Sequence, residues 1–162
     1  MAKVDVAVPC YNYAHFLEAC VHSVLEQSIK DVRILIIDDA SSDDSLLVAR
    51  KLALEDSRVT VVGHATNRGH IDTFNEGIAW ASAEYFLLLS ADDLLLPGAL
   101  ERAVEVMDAN PDIVLTYGRV IEWHDHLPFP AIKAAHAKPR FFRLQRPLLA
   151  RRRLLAPCEA AG

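Results

Sequence analysis

The chain has 162 residues, of which 52% are hydrophobic and 24% are charged, and its formal net charge is −5 at pH 7. This balance is typical of one soluble globular domain and excludes a disordered or collagen-like chain. The three cysteines are an odd number without a C-x-x-C pair, which favours a reducing compartment and argues against a cysteine zinc site. We find no apolar stretch of about 18 residues and no signal-peptide pattern, so we expect a cytoplasmic protein.

Apolar, β-branched runs alternate with stretches of helical periodicity, as in β-α-β units around a parallel sheet. We predict five strands, over residues 4–8, 32–37, 58–62, 85–89 and 112–117. The four intervening helices are predicted to bury Phe16, Leu17, Cys20, Val21, Val24 and Leu25 in the first; Leu46, Leu47, Ala53 and Leu54 in the second; Ile71, Phe74 and Ile78 in the third; and Leu100, Val104 and Met107 in the fourth. Ser41 and Ser42 are predicted to cap the second helix.

Polar side chains follow the predicted strands at their carboxyl ends, where open α/β sheets bind ligands. They belong to the turn at residues 9–12, the pair Asp38-Asp39, residues 67–69 and the pair Asp92-Asp93. Two acidic pairs at one edge of a sheet repel each other unless a cation or a hydrogen-bond donor meets them. Oxygen ligands without His or Cys favour Mg²⁺ or Mn²⁺, so these pairs predict a divalent cation.

The order and spacing of four segments resemble the nucleotide-sugar half of a family 2 GT-A glycosyltransferase. These segments are residues 6–12 (VAVPCYN), 36–43 (IIDDASSD), 67–69 (NRG) and 89–93 (LSADD). The resemblance covers about residues 3–123 and implies a Rossmann-like GT-A α/β/α sandwich with a mainly parallel central sheet. It also implies inverting sugar transfer from a nucleotide-diphospho-sugar, usually a UDP-sugar, bound with Mn²⁺ or Mg²⁺.

The resemblance assigns the nucleotide to residues at three of the strand ends. It implies that Pro9 and Tyr11 lie along the base and ribose, with the Tyr11 ring against the uracil. Asp39 would accept the N3–H of the base, and Asp38 would support the turn or the ribose. Arg68 would neutralise the diphosphate, as a guanidinium does well. Simpler structural roles stay open: a turn aromatic for Tyr11, helix capping for the acid pair and a surface arginine for Arg68.

The resemblance assigns the metal to the acid pair after the fourth strand. Asp92 and Asp93 match the D-x-D position of the family, with Ser90 where the family often has its first acid. This match implies that Asp93 binds the metal and that Asp92 binds the metal or the ribose. A metal at this position would assist departure of the UDP diphosphate as a Lewis acid.

No catalytic base is identified in the sequence. Inverting members of the family place an Asp or Glu base in the acceptor half, where it deprotonates the attacking hydroxyl. The acids after Asp112 are Glu122, Asp125 and Glu159, and none lies in a recognisable base motif. We therefore divide the chain into a GT-A nucleotide-sugar-binding domain at residues 1–124 and a basic segment at residues 125–162 that leads towards a missing or truncated acceptor half. We expect the acceptor to be a sugar or a lipid-linked sugar, and the sequence does not indicate which one.

Charge is unevenly distributed along the chain. Residues 1–125 carry 21 acidic and nine basic residues, whereas residues 126–162 carry one acidic and eight basic residues. The basic, aromatic segments 141–143 (FFR) and 151–153 (RRR) resemble membrane-surface segments. In the alternative interpretation, residues 146–155 form a helix whose leucines pack on the sheet. Peripheral contact with the inner face of the membrane is one interpretation of this tail, and we expect no nucleic-acid partner.

Two other classes of protein stay open at this point. A non-catalytic module that binds nucleotide sugars would share every motif above and lack only acceptor machinery. A phospho-receiver domain is suggested by residues 36–39 (IIDD), although a receiver places such a pair after its first strand. A dinucleotide dehydrogenase is disfavoured because no G-x-G-x-x-G follows the first strand.

Overall fold

The computed structural model of the chain describes residues 2–118 and the backbone of residues 140–143. In chain order the elements are β1 (Val4–Cys10), α1 (Ala14–Leu25), β2 (Val32–Asp38), α2 (Ser45–Glu55), β3 (Val59–Gly63), α3 (His70–Trp80), β4 (Tyr85–Leu88), α4 (Ala99–Ala109), β5 (Ile113–Tyr117) and β6 (Arg140–Arg143). The first four predicted strands and all four predicted helices are therefore present, with ends that differ by a few residues.

The central sheet has four parallel strands in the order β3-β2-β1-β4. Val4 of β1 pairs with Val32 of β2 on one side and with Tyr85 of β4 on the other. The two central strands, β1 and β2, are buried along nearly their whole length. This burial on both faces explains why their sequences are mostly apolar, with Asp5, Arg33 and Asp38 as the charged exceptions. The prediction of an α/β fold with a mainly parallel central sheet is confirmed.

Asp5 of β1 is a buried carboxylate within this sheet and is 0% exposed. Arg33 of β2 donates from Nε and Nη2 to its two oxygens at 2.8 and 2.6 Å. The N–H groups of Ser82 and Ala83, before β4, donate to Oδ2 at 2.6 and 2.7 Å. Burial alone would raise the pKa of Asp5, but the bonds from Arg33 and the two backbone amides hold it below its usual value. Asp5 thus links three neighbouring parts of the fold.

Helices α1 and α4 turn the predicted face to the core, with Phe16 and Met107 half-buried, whereas α2 does not. On α2 the leucines at 47 and 54 are 68% and 90% exposed, so their predicted burial is wrong. The buried residues are Ser45, Ala49 and Leu52, which recur at the i, i+4 and i+7 spacing of one helix face. Apolar residues of α2 lie on several of its sides. The side that packs on the core is the one with the small residues Ser45 and Ala49.

Helix α3 also turns a different face to the sheet from the one predicted. Thr73 and Gly77 are its buried residues, and the predicted Ile71, Phe74 and Ile78 are half-buried. Gly77 packs so closely against β1 that a side chain at this position would not fit.

The fifth predicted strand exists, but it does not extend the parallel sheet. Within the described residues, β5 pairs antiparallel with β6, from Ile113 opposite Arg143 to Tyr117 opposite Arg140. Leu115 and Tyr117 are exposed, and a strand with one solvated face is typical of antiparallel pairing. The predicted helix at 146–155 lies outside the described residues, and the division at residue 124 stays a prediction.

The helices of the described residues each span 11 or 12 residues. Crossing a bilayer takes about 20 consecutive apolar residues. Within residues 2–118 and 140–143, accordingly, no helix has the length and apolar character of a membrane span.

Candidate functional site

A cleft of about 450 Å³ opens at the carboxyl edge of the parallel sheet. Its walls come from the turn after β1, the loop after β2, the start of α3 with the loop before it, and the loop after β4. Successive strands lie outward from β1 towards β3, and then β4 returns to the opposite side of β1. The cleft therefore lies at the point where the strand order reverses, which is where open α/β sheets bind their ligands.

Four of the residues predicted to bind the nucleotide line this cleft: Pro9, Tyr11, Asp39 and Asp92. They come from the ends of three different strands, β1, β2 and β4. The side chain of Tyr11 is 48% exposed, so its ring is accessible to a flat ligand. The fold thus brings together residues that are far apart in the sequence.

The other three predicted residues do not line the cleft. Asp38 is buried, and its Oδ2 accepts the Ser41 N–H at 3.2 Å, which fits the predicted support of the turn. The guanidinium of Arg68 lies 3.4 Å from Oε2 of Glu76. Asp93 is exposed beside Asp92 at the edge of the cleft. The ligand contacts of these three residues stay predictions.

The turn after β1 is fixed to the loop after β2. Asn12 has a φ of 61°, in the left-handed region that asparagine tolerates better than most residues. Its N–H donates to Ser41 Oγ at 2.9 Å, and its Oδ1 accepts the Ser42 N–H at 2.8 Å. The prediction that these two serines cap α2 is therefore wrong, and Oδ1 of Asp43 accepts the N–H of Ser45, the first residue of α2, at 3.0 Å.

Asp39 is a rigid acceptor at the centre of this network, and it is only 4% exposed. Its Oδ1 accepts the Arg68 N–H at 2.8 Å and its Oδ2 accepts the Gly69 N–H at 2.9 Å. Gly69 has a φ of 85°, a conformation that lets both amides face the same carboxylate. Burial alone would raise the pKa of Asp39, but His64 and the two amides hold it below its usual value. The carboxylate is therefore ionised and fixed at neutral pH.

His64 and Glu76 complete the network, and sequence analysis missed both. The buried ring of His64 lies with Nδ1 at 2.7 Å from Oδ1 of Asp39 and Nε2 at 2.8 Å from Oε2 of Glu76. Burial lowers the pKa of His64, but the two carboxylates outweigh that effect and raise it above its usual 6.5. One signal in the sequence could have indicated His64, because it directly follows β3 at the edge where the other polar residues lie.

The acid pair Asp92-Asp93 lies in the loop after β4, on a turn in which the Asp93 N–H donates to Ser90 O at 3.0 Å. Both residues are exposed, and neither carboxylate has a hydrogen bond to another residue in the described part of the chain. Mg²⁺ and Mn²⁺ bind proteins through one or two carboxylates together with substrate phosphates. No group of three or more His, Cys, Asp or Glu within residues 2–118 could hold a metal by itself. The pair fits a cation that takes its other ligands from a bound phosphate.

A family model described as Glycosyl transferase family 2 matches residues 5–160 of the chain. The chain therefore belongs to glycosyl transferase family 2. This assignment confirms the family resemblance seen in the sequence, and the phospho-receiver interpretation is wrong.

Curated relatives agree with this family. The chain is 37% identical over 112 residues to the uncharacterized glycosyltransferase alr2836 of Nostoc sp. The matched region covers 69% of this chain and 34% of that protein. It is 35% identical over 106 residues to the GalNAc(5)-diNAcBac-PP-undecaprenol beta-1,3-glucosyltransferase of Campylobacter jejuni. The matched region covers 65% of this chain and 34% of that protein. The chain thus spans about a third of the length of these relatives.

Solved structures confirm the GT-A fold. The mannosyltransferase PcManGT from Pyrobaculum calidifontis, in complex with GDP-Man and Mn²⁺, superposes with a TM-score of 0.63 at 27% identity, over 68% of this chain and 33% of that one. TarS 1-349 of S. aureus, in complex with UDP-GlcNAc, gives a TM-score of 0.63 at 24% identity over the same shares. At 24% identity, the similarity to TarS supports the fold alone.

Proposed function

We propose that this chain forms the donor-binding part of a glycosyltransferase and takes a UDP-sugar together with Mn²⁺ or Mg²⁺. One observation carries the proposal: a cleft at the reversal of strand order is lined by a fixed, ionised acceptor, Asp39, and by the exposed Asp92, whose neighbour Asp93 is also exposed. A nucleotide sugar has the matching parts, because its base carries hydrogen-bond donors and its diphosphate binds a cation. The relatives named above are glycosyltransferases, and one structural neighbour was solved with GDP-Man and Mn²⁺.

The base of the donor is proposed to lie against Tyr11 and Pro9 and to donate to Asp39. A carboxylate has about four acceptor positions, and three on Asp39 are taken by His64, Arg68 and Gly69. One position is left, on Oδ2. Uracil presents a single imide N–H on its pairing edge, whereas guanine presents two adjacent donor groups. The remaining position therefore favours a base with one imide N–H, such as uracil, over guanine.

The diphosphate is proposed to lie towards Asp93 and Asp92. Asp93 would hold the metal, and Asp92 would bind the metal or the ribose. A bound Mn²⁺ or Mg²⁺ supplies Lewis-acid stabilisation of the leaving diphosphate. Arg68 is proposed to contact the diphosphate after turning away from Glu76, and its exposed side chain allows that movement.

Transfer to an acceptor, with inversion at the sugar, is part of the proposal for the whole protein. The acceptor is proposed to be a sugar or a lipid-linked sugar, and peripheral membrane contact through the basic residues after 125 would suit the latter. A non-catalytic module would bind the donor in the same way and transfer nothing.

Calorimetric titration of the chain with UDP, GDP and TDP, with Mn²⁺ or with EDTA, tests donor binding. We expect UDP to bind more tightly than GDP, and Mn²⁺ to strengthen the binding of UDP. No heat with any of these nucleotides in either buffer would overturn the proposal. Product mass after incubation with UDP-sugars and sugar or lipid-linked acceptors then separates a transferase from a binding module.

A further inference from the structure

We propose that His64 is a positioning residue that fixes the Asp39 carboxylate, and that the proton of its imidazolium controls binding of the donor base. This inference rests on the proposed binding of a uridine nucleotide in the cleft. His64 is not in the cleft lining and would act through Asp39.

The contacts of the ring define its protonation state. Nδ1 and Nε2 each lie within 2.8 Å of a carboxylate oxygen, on Asp39 and Glu76 respectively. A neutral imidazole donates from one nitrogen and carries a lone pair on the other. That lone pair would face an anionic oxygen at hydrogen-bond distance, which is repulsive. Only the imidazolium donates to both carboxylates.

Charged groups surround the ring from each element that contacts it. Asp39 approaches from the end of β2, and the backbone oxygen of Asp38 accepts the His64 N–H at 2.8 Å. Glu76 approaches from α3, and Arg68 in the loop before α3 contacts the same Glu76 oxygen. Two carboxylates and two cations therefore balance in the contact network of Asp39, His64, Glu76 and Arg68. Loss of the His64 proton leaves a net negative charge in this network.

The proton matters for the ligand because Asp39 has one acceptor position left. The imidazolium makes a charge-assisted bond to Oδ1, which is shorter and stronger than the bond from a neutral ring. Together with the amides of Arg68 and Gly69, this bond fixes the orientation of Oδ2. Without the charge the carboxylate is held less firmly, and a base that needs Oδ2 in one orientation binds more weakly.

The test compares UDP binding between pH 6 and 9, without added metal, in the unaltered chain and in His64→Asn. The asparagine amide can still donate to Asp39, but it carries no charge and does not titrate. His22→Asn is the matched control, because His22 is exposed on α1 and does not line the cleft. Any titration of UDP itself is the same in all three proteins.

We expect the unaltered chain and His22→Asn to bind UDP more weakly as pH rises above the pKa of His64, by up to about tenfold per pH unit, the limit for one proton. His64→Asn should bind more weakly at pH 6 and lose this dependence. By linkage, saturating UDP should also raise the His64 pKa that NMR reports from its ring protons.

Each outcome bears on one claim. Identical pH profiles for the unaltered chain and His64→Asn would overturn the inference about His64 and leave the proposed function intact. No UDP binding at any pH would overturn the proposed function itself. If His64→Asn does not fold, the NMR titration of the unaltered chain decides, and a His64 pKa that UDP does not raise contradicts the inference.

Discussion

Gly77 of α3 lies so close to Ala7 of β1 that a Cβ atom at position 77 would stand 2.7 Å from the Ala7 Cβ. Carbon atoms of packed side chains do not approach to that distance. The glycine therefore sets how closely α3 lies on the sheet. Because His70 and Phe74 at the start of α3 line the cleft, the same contact sets the position of that wall.

Gly77→Ala should destabilise the chain by about 1–3 kcal/mol, since the added methyl group overfills the contact. Urea denaturation at pH 7 measures the change. Adding Ala7→Gly to the variant removes the opposing methyl group and should restore part of the loss. Equal stability of Gly77→Ala and the unaltered chain would show that α3 can shift without cost.

Asp5→Ala should destabilise the chain by about 2–4 kcal/mol, because it leaves the buried N–H of Ala83, the half-buried N–H of Ser82 and one face of Arg33 without their acceptor. Asp72→Asn, on the exposed side of α3, is the control for loss of one negative charge. Chemical denaturation of both variants and the unaltered chain measures the difference, and similar midpoints for all three would contradict the assigned role.

The same carboxylate gives a dependence of stability on pH. The pKa of Asp5 in the folded chain lies below its usual 3.8, so its contribution is complete above that value and is lost as pH falls through the folded pKa. We expect Asp5→Asn to lose less stability than the unaltered chain between pH 5 and 3. Parallel curves in a series of denaturation experiments would argue against this.

Asp39→Asn should weaken UDP binding by about 1–3 kcal/mol, with Mn²⁺ or without it, because an amide group replaces one of the two acceptor oxygens. Asp44→Asn is the matched control, since Asp44 is exposed at the start of α2 and does not line the cleft. Calorimetry measures both. A loss of UDP affinity seen only when Mn²⁺ is present would indicate that Asp39 binds the metal and not the base.

Asp93→Asn should reduce the gain in UDP affinity that Mn²⁺ provides and leave the fold unchanged, because the residue is exposed in a loop. Circular dichroism checks the fold, and titration with and without Mn²⁺ checks the metal effect. Glu105→Gln, exposed on α4, controls for the loss of one negative charge. An undiminished metal effect would place the cation elsewhere.

Glu76→Gln should lower the pKa of His64, because one of the two carboxylates that raise it is neutralised. The folded pKa of His64 lies above 6.5, so its contribution to stability is complete below 6.5 and is lost as pH rises through the folded value. In Glu76→Gln the loss still begins near 6.5, but it should be smaller and complete at a lower pH. NMR titration of the His64 ring protons measures the shift, and an unchanged pKa would be the contrary result.

Residues at the strand ends were predictable because parallel strands bring their carboxyl ends to one edge. Pro9, Tyr11, Asp39 and Asp92 needed only the order of the elements to be placed together. His64 was different, since one histidine after a strand does not specify its partners. Its two carboxylates come from the loop after β2 and from the middle of α3, and only the packing of α3 brings them to the ring.

Helix α2 and strand β5 show what hydrophobic patterning leaves undetermined. Apolar residues lie on several sides of α2, so the pattern does not identify the buried face, and the small Ser45 and Ala49 decide it by allowing close approach. For β5, the apolar run predicts a strand but not its partner. That partner is β6, more than twenty residues later in the chain.

From the strand order we expect the two ends of the cleft to form at different stages of folding. Strands β1, β2 and β3 are joined through single helices and pair with their successors along the chain, so their contacts close short loops. Strand β4 must instead pair Tyr85 with Val4, and closing that long loop is slow. During synthesis, the end of the cleft with Asp39 can therefore assemble before Asp92 and Asp93 reach it.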